Sequence, residues 1–396
     1  MAINASIALA IIMSVEEILS ALVSFSILGG ESNTAIASWI ETYLSDHNIA
    51  FKNVVNIDGD KRSIHCRIGP AVDGGIILSG HMDVVPVDGQ AWNTDPFVLT
   101  DIGDDNLYAR GSCDMKGFIA CCLAALPTMI KADLQKPIYF AFSYDEEIGC
   151  LAGPALAADI NSYYSETPKY ALIGEPSMMQ LITGQKGICV YETTVNGSAG
   201  HSSRIRSEVS AIHEAAKLLV WLDNKMDILI QEGHIDHRFS PAHTTIHCGI
   251  LQQSGIAPNV ISDHAAFQWD VRVIPKNKAQ TILREFEAYS QELIQANFQK
   301  FSDFQITTNQ IQNDVPALDC PDNADVVPFI CSLLDNKNLG TVAYAAEAGQ
   351  YAEAGFQTVI CGPGDIAQAH RANEFIAKSQ LAKCSKMLIK LIKKLS

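Results

Sequence analysis

Four short apolar runs, at residues 76–78, 138–142, 170–173 and 358–361, are bounded by turn residues and alternate with helix-period stretches such as 117–130. Runs that are apolar on both faces suit strands buried between two layers, so the pattern predicts an α/β fold, a mixed sheet flanked by helices. Between about 187 and 308 the rhythm changes to strand, helix, strand, strand, helix, strand, with pieces at 188–195, 209–224, 244–251, 264–273, 278–298 and 304–308. That order suggests a ferredoxin-like α+β module. The α/β rhythm returns from Val326. At 396 residues the chain exceeds one ordinary core of about 100–200 residues. The expected organisation is therefore a discontinuous catalytic domain, residues 1–186 and 309–396, interrupted by an inserted lid at 187–308.

Ile18, Leu22 and Phe25, then Ile36, Ile40 and Leu44, recur at helical spacing and predict two opening helices. Ser14 and Glu17 stand at capping-box spacing at the start of the first. Residues 2–13 are apolar, but no basic residue precedes them, and they are shorter than the roughly 20 residues that cross a bilayer. Neither a signal peptide nor a membrane association is expected, and Met13 is an alternative start. The formal net charge of −16 argues against a nucleic-acid partner. Lys390, Lys393 and Lys394 read as the solvated face of a last helix. Eleven cysteines without a CxxC pair or a paired framework fit a reducing, cytoplasmic setting.

Polar residues gather where the apolar runs end. GHMDVVP (80–86) follows the first run. Residues i and i+2 of a strand share a face, so His81 and Asp83 point the same way, and Asp83 can hold the imidazole in the tautomer that frees one nitrogen for a metal. Alone, such a pair is more often a structural hydrogen bond. In RGSCDMKG (110–117), Asp114 stands among small residues just before a helix, where taken alone an N-cap role is the usual one. SYDEEIG (143–149) sets Asp145, Glu146 and Glu147 at the end of a strand too apolar for a surface. Three adjacent carboxylates repel one another unless cations offset them or the segment is a solvated turn. Glu175 in IGEPS (173–177) ends another run, and His370 in AQAHRANEF (367–375) follows the last.

Open α/β sheets place ligands beyond the carboxyl ends of their strands. Two imidazoles and three carboxylates there form a donor set that zinc accepts in hydrolytic sites. Two divalent ions carry +4, while Asp114, Glu147 and Glu175 contribute −3, leaving +1 to stabilise a tetrahedral oxyanion.

The blocks SGHMDVVPVDGQAWNTDPF, YARGSCDMKGF, YDEEIGC, GEPSMMQLITGQKG and CGPGDIAQAHRANEF resemble the dizinc aminoacylase and carboxypeptidase superfamily, and within it the acetylornithine deacetylase group. The resemblance runs over essentially the whole chain from Ile18 onward. It implies two Zn2+ per subunit, with Co2+ able to substitute: His81, Asp114 and Glu175 hold one ion, and Glu147, His370 and the shared Asp114 hold the other. Asp83 then orients His81, and Glu146 is the general base that takes a proton from the attacking water and passes it to the departing amine. A cis peptide between Asp114 and Met115 is also implied. So is a homodimer formed through the lid, with His201 of GSAGHSS (197–203) serving the partner's oxyanion. Asn259 in APNVI (257–261) and Arg272 in WDVR (269–272) would grip the α-carboxylate of an N-acetyl amino acid, and Glu347 in YAAEAGQY (344–351) the δ-ammonium of ornithine. The implied reaction is hydrolysis of N-acetyl-L-ornithine in arginine synthesis.

Succinyl-diaminopimelate desuccinylase, a dizinc dipeptidase or aminoacylase, and a non-catalytic binding protein on the same fold are the alternatives. The Glu347 stretch differs from the Gly-Thr-Ser-Asp type of the desuccinylase. Two departures from the family pattern, Arg371-Ala372 after the last histidine and Gly200 in the lid, remove no catalytic group. GPGDIA (362–367) matches a dinucleotide fingerprint, but Pro363 removes a backbone donor and no acidic residue stands about 20 residues on in a new strand. Cys121 and Cys122 lie in an apolar helix and read as core.

Overall fold

A computed structural model describes residues 13–252 and 254–396; the reading made for residues 2–12 lies outside them. The chain divides into two compact units, the first comprising Met1–Thr183, Cys320–Gly340 and Ala346–Ser396, the second Gly184–Asp319 and Thr341–Ala345.

In the first unit the strands Ile138–Ser143, Ile76–His81, Tyr170–Pro176 and Gln357–Gly362 lie side by side in that order, all parallel. These are the four apolar runs, and both faces of the strands Ile76–His81 and Ile138–Ser143 are buried throughout. Two further strands, Phe51–Val55 and Arg62–Ile68, extend the sheet antiparallel beyond Ile138–Ser143, which makes it mixed. The helix Lys116–Lys131 is apolar on nearly every side, burying Phe118, Ile119, Cys121, Cys122 and Leu126. Gly174 makes room for it: a Cβ there would stand 2.0 Å from the Phe118 ring. The opening helix Val15–Val23 starts with the reciprocal Ser14/Glu17 capping box, and Lys378–Leu395 closes the chain, burying Leu381, Cys384 and Leu388.

In the second unit the elements run Gly187–Asn196, helix Ala211–Gln231, Thr245–Leu251, His264–Val273, helix Ala279–Asn297, Gln305–Val315. The four strands form one antiparallel sheet, ordered Thr245–Leu251, His264–Val273, Gly187–Asn196, Gln305–Val315. Burial alternates strictly along most of Gly187–Asn196, as in a sheet with one covered face. The core between sheet and helices is aromatic: the Trp269 ring lies 4.6 Å from Tyr191 and 4.9 Å from Phe286, and its Nε1 donates to Thr193 Oγ1 at 3.0 Å. The last strand runs to Val315, past the stretch read from the sequence to 308, by pairing with Gly187–Asn196; residues 309–314, mostly polar and largely exposed, give no apolar pattern to mark it. Among the described residues no helix is long and apolar enough to cross a membrane.

Candidate metal centre

The parallel strands all deliver polar residues at one end. His81 is the last residue of its strand, Asp145 to Glu147 follow Ile138–Ser143, Glu175 is next to last in Tyr170–Pro176, and His370 comes after a short turn beyond Gln357–Gly362. Asp114 arrives from the side, just before the helix Lys116–Lys131. Its peptide bond to Met115 is cis.

Asp114 presents one oxygen to each histidine. Oδ1 is 3.2 Å from His81 Nε2 and Oδ2 is 3.6 Å from His370 Nε2. Glu175 Oε1 lies 3.8 Å from His81 Nε2, and Glu147 Oε2 3.0 Å from His370 Nε2. Two sets of donor atoms fall within 4.8 Å of one another: His81, Asp114 and Glu147, and His81, Glu146 and Glu175. Glu146, to which the resemblance assigns proton transfer, therefore stands among the donors.

Asp83 does more than face His81. Its Oδ1 accepts the backbone N–H of Glu146 at 3.2 Å and its Oδ2 that of Glu147 at 3.1 Å. His81 Nδ1 lies 3.0 Å from the Asp83 carbonyl oxygen and 3.7 Å from Oδ1. One residue thus ties the His81 strand end to the turn carrying two further acids. The three adjacent carboxylates part company at that turn. Asp145, at φ 54°, pairs with Lys61 at 2.6 Å and takes the N–H of Gly30 at 2.8 Å, leaving Glu146 and Glu147 for the cluster.

Burial, reinforced by neighbouring acids, pushes Glu146 and Glu175 well above the usual carboxylate range and raises Glu147. Burial opposes charge on His81, but hydrogen bonds to Asp114 and Asp83 outweigh it and hold its pKa well above the ordinary value. Carboxylates so placed ionise together only if cations sit among them. Oxygen and imidazole donors without a thiolate suit divalent zinc or a similar ion, so the residues present fit a metal centre.

A residue that the sequence did not single out adjoins the cluster. The Cys150 thiol lies 3.2 Å from Glu146 Oε1, while the Cys150 carbonyl accepts from Gln350 Nε2 at 2.9 Å. No spacing rule marks a thiol four residues after an acid. Glu347 is 1% exposed, burial pushes its carboxyl up to about 7, and its Oε1 has no partner among the described residues. In the GPGDIA stretch, the Gly364 N–H donates to Gln380 Oε1 and the Ala367 N–H to Asp365 Oδ1.

The remaining nominated residues belong to the second unit. His201 pairs with Val260 across two short strands, which sets it beside Asn259. Both are exposed; His201 Nδ1 lies 2.8 Å from Ser203 Oγ, and the Asn259 carbonyl accepts the N–H of Ser202 at 2.9 Å. Arg272, in the strand His264–Val273, is partly exposed, with Nε 3.5 Å from Asp270 Oδ1.

Residues 77–394 match peptidase family M20/M25/M40. An acetylornithine deacetylase of Myxococcus xanthus is 32% identical over 353 residues, 89% of this chain and 86% of that protein. An M20 metallo-carboxypeptidase of Sulfolobus solfataricus superposes with a TM-score of 0.74 at 16% identity, covering 95% of this chain and 97% of that one. A dinuclear metal-binding peptidase of the family from Bacillus subtilis superposes at 0.61 and 13%, covering 96% and 97%. The chain belongs to peptidase family M20/M25/M40 and is a metal-dependent amidohydrolase.

Proposed function

We propose that the chain hydrolyses the acetyl amide of N-acetyl-L-ornithine to L-ornithine and acetate, in the cytoplasm, with two Zn2+ per subunit that Co2+ can replace. The observation that carries the reading is Asp114 set between His81 and His370, one oxygen toward each, with Glu146, Glu147 and Glu175 beside them. His81, Asp114 and Glu175 would hold one ion, and Asp114, Glu147 and His370 the other. Bound there, the ions supply Lewis acidity and lower the pKa of water.

Proton transfer falls to Glu146. Its Oε1 carries the Cys150 thiol, which leaves Oε2 to accept a proton from the attacking water and deliver it to the departing amine nitrogen. Arg272 and Asn259 are assigned to the α-carboxylate, for which a guanidinium offers a planar fork. The δ-ammonium is assigned to Glu347, whose unpartnered Oε1 would gain a cation. The relatives named acetylornithine deacetylase support this choice of substrate. His201 is assigned to the active site of a second copy, the chain acting as a homodimer formed through residues 187–308.

The test is a panel of N-acetyl amino acids, N-succinyl-diaminopimelate and dipeptides, assayed with zinc and with cobalt. N-acetylornithine should have the highest kcat/KM. Preference for the succinylated substrate or a dipeptide would overturn the substrate and leave the amidohydrolase standing.

A further inference from the structure

The segment after His370 holds a carboxylate to which the reaction above gives no role. Glu374 is 1% exposed. Its Oε2 accepts from Arg110 Nη1 at 2.8 Å and from the Gly111 N–H at 3.1 Å. Its Oε1 accepts the backbone N–H groups of Cys113 at 2.8 Å and of Asp114 at 3.1 Å. Four donors on two oxygens use the ordinary acceptor capacity of a carboxylate. Gly111 is required for the turn that aims three N–H groups at one point: its φ is +78°, and a Cβ would stand 2.7 Å from Val84 Cγ1.

Arg110, also 1% exposed, extends the tie. Its Nη1 reaches the Arg371 carbonyl at 3.3 Å and its Nη2 the Gln90 side chain at 2.7 Å, while Gln90 Nε2 donates to the His370 carbonyl at 3.1 Å. The guanidinium stacks over Trp92, 5.2 Å from the ring centre. The Glu374 carbonyl accepts the N–H of Ala109 at 3.1 Å. Segments 109–114 and 370–374, far apart in sequence, are thus held together around one buried ion pair.

We infer that Glu374 is a positioning residue for the metal centre, fixing the spacing between the segment that presents Asp114 and the segment that presents His370, and so setting the affinity for both ions. This rests on the proposed assignment of Asp114 and His370 as ligands. Fold stability alone is a poor account of the pair, because desolvating two charges commonly offsets their attraction and an apolar pair of similar volume serves as well. An apolar pair cannot accept the N–H of Asp114 itself and of two residues just before it. Outer partners of this kind typically govern metal affinity by about 10–100-fold.

Glu374→Gln keeps the shape but turns an NH2 group toward two of the four donors. Zinc affinity of the variant, measured by competition with a chromophoric chelator, should fall about 10–100-fold for both ions. With N-acetylornithine, kcat should fall at limiting zinc and recover in excess zinc, with KM unchanged. A purely structural role predicts a lower melting temperature of the metal-free chain and unchanged zinc affinity of the folded one, and that result overturns the inference. If Glu374→Gln does not fold, Glu374→Asp, which keeps the charge and retracts it by one methylene, is read by the same titration. Asp159→Ala, which removes the 2.8 Å partner of buried His65, is the control that should cost stability without touching zinc affinity. Failure of the two readings is separable: a wild-type chain that binds two ions but spares N-acetylornithine overturns the substrate alone, and a Glu374→Gln chain of wild-type affinity overturns the positioning role alone.

Discussion

The metal cluster of the first unit and the second unit treat buried charge in opposite ways. In the first, Asp114 and Glu175 are buried and Glu146 and Glu147 half-buried around His81, with no lysine or arginine paired to any of them among the described residues. In the second, buried charges mostly come with partners: Glu214 with Lys217, Lys225 with Glu285, Asp236 with Arg238. His201 and Asn259 are exposed there. Unpaired acids under cover demand a compensating cation, so the first unit announces its chemistry by electrostatic need. Exposed polar residues create no such need, and their roles in the second unit must be found by experiment.

The contrast breaks first at Glu146. If it is the base, Glu146→Gln should bind both ions yet lose about 10²–10⁴-fold in kcat. Turnover within a few-fold of wild type at full metal occupancy would sink the assignment, and the first unit would then be a metal store without its proton carrier.

The next effect is expected from the second unit. A hydrogen-bond donor to a developing oxyanion is worth about 10²–10³-fold, which is the loss expected for His201→Ala. Because His201 is assigned to a partner's site, mixing His201→Ala with Glu146→Gln should restore part of the activity once subunits exchange. A hybrid dimer then has one site with Glu146 from its own chain and His201 from the other. No recovery despite proven exchange would return His201 to its own chain or to no catalytic role.

Removing metal should separate the units directly. A ligand at 100 times its Kd stabilises by about 2.7 kcal/mol, so chelation should lower the stability of the first unit by at least that order. Hydrogen exchange should rise in segments 110–115 and 144–150 and stay unchanged in the strands Gly187–Asn196 and His264–Val273. Equal loosening of both would show that the metal centre does not act locally.

How legible these features were in the sequence follows the same division. The four central strands and the cluster at their ends could be read because a continuous apolar run that stops abruptly at His, Asp or Glu suits little besides a buried strand whose end faces a ligand. Phe51–Val55 and Arg62–Ile68 escaped because lysine, asparagine, arginine and histidine interrupt their apolar pattern. The backbone acceptor roles of Asp83 and Glu374 were hidden for a different reason: a carboxylate that binds N–H groups from a remote loop leaves no spacing signal, since the backbone is common to every residue. Cys150 was passed over because a single thiol in a turn carries no signal until its distance to Glu146 is known.

The smallest predicted effect tests whether the second unit obeys its own rule. Lys186 is its exception: the side chain is fully buried, Nζ donates to the His243 carbonyl at 2.6 Å, and no salt bridge to it forms among the described residues. Burial, helped by the nearby Arg272 charge, lowers its pKa to about 8. The unfolded chain holds that proton up to about pH 10.4. Between about pH 8 and that value the unfolded state therefore binds more protons than the folded one, and stability must rise with pH, by at most about 1.4 kcal/mol per unit. Below about pH 8 both states are protonated and the cost of burying the charge is fully present. Wild type should accordingly gain stability relative to Lys186→Met when urea unfolding is moved from pH 7.5 to pH 9.5. A difference that stays flat over that window would mean that Lys186 is charged and compensated like the other buried ions of its unit, and the contrast between the units would then hold without exception.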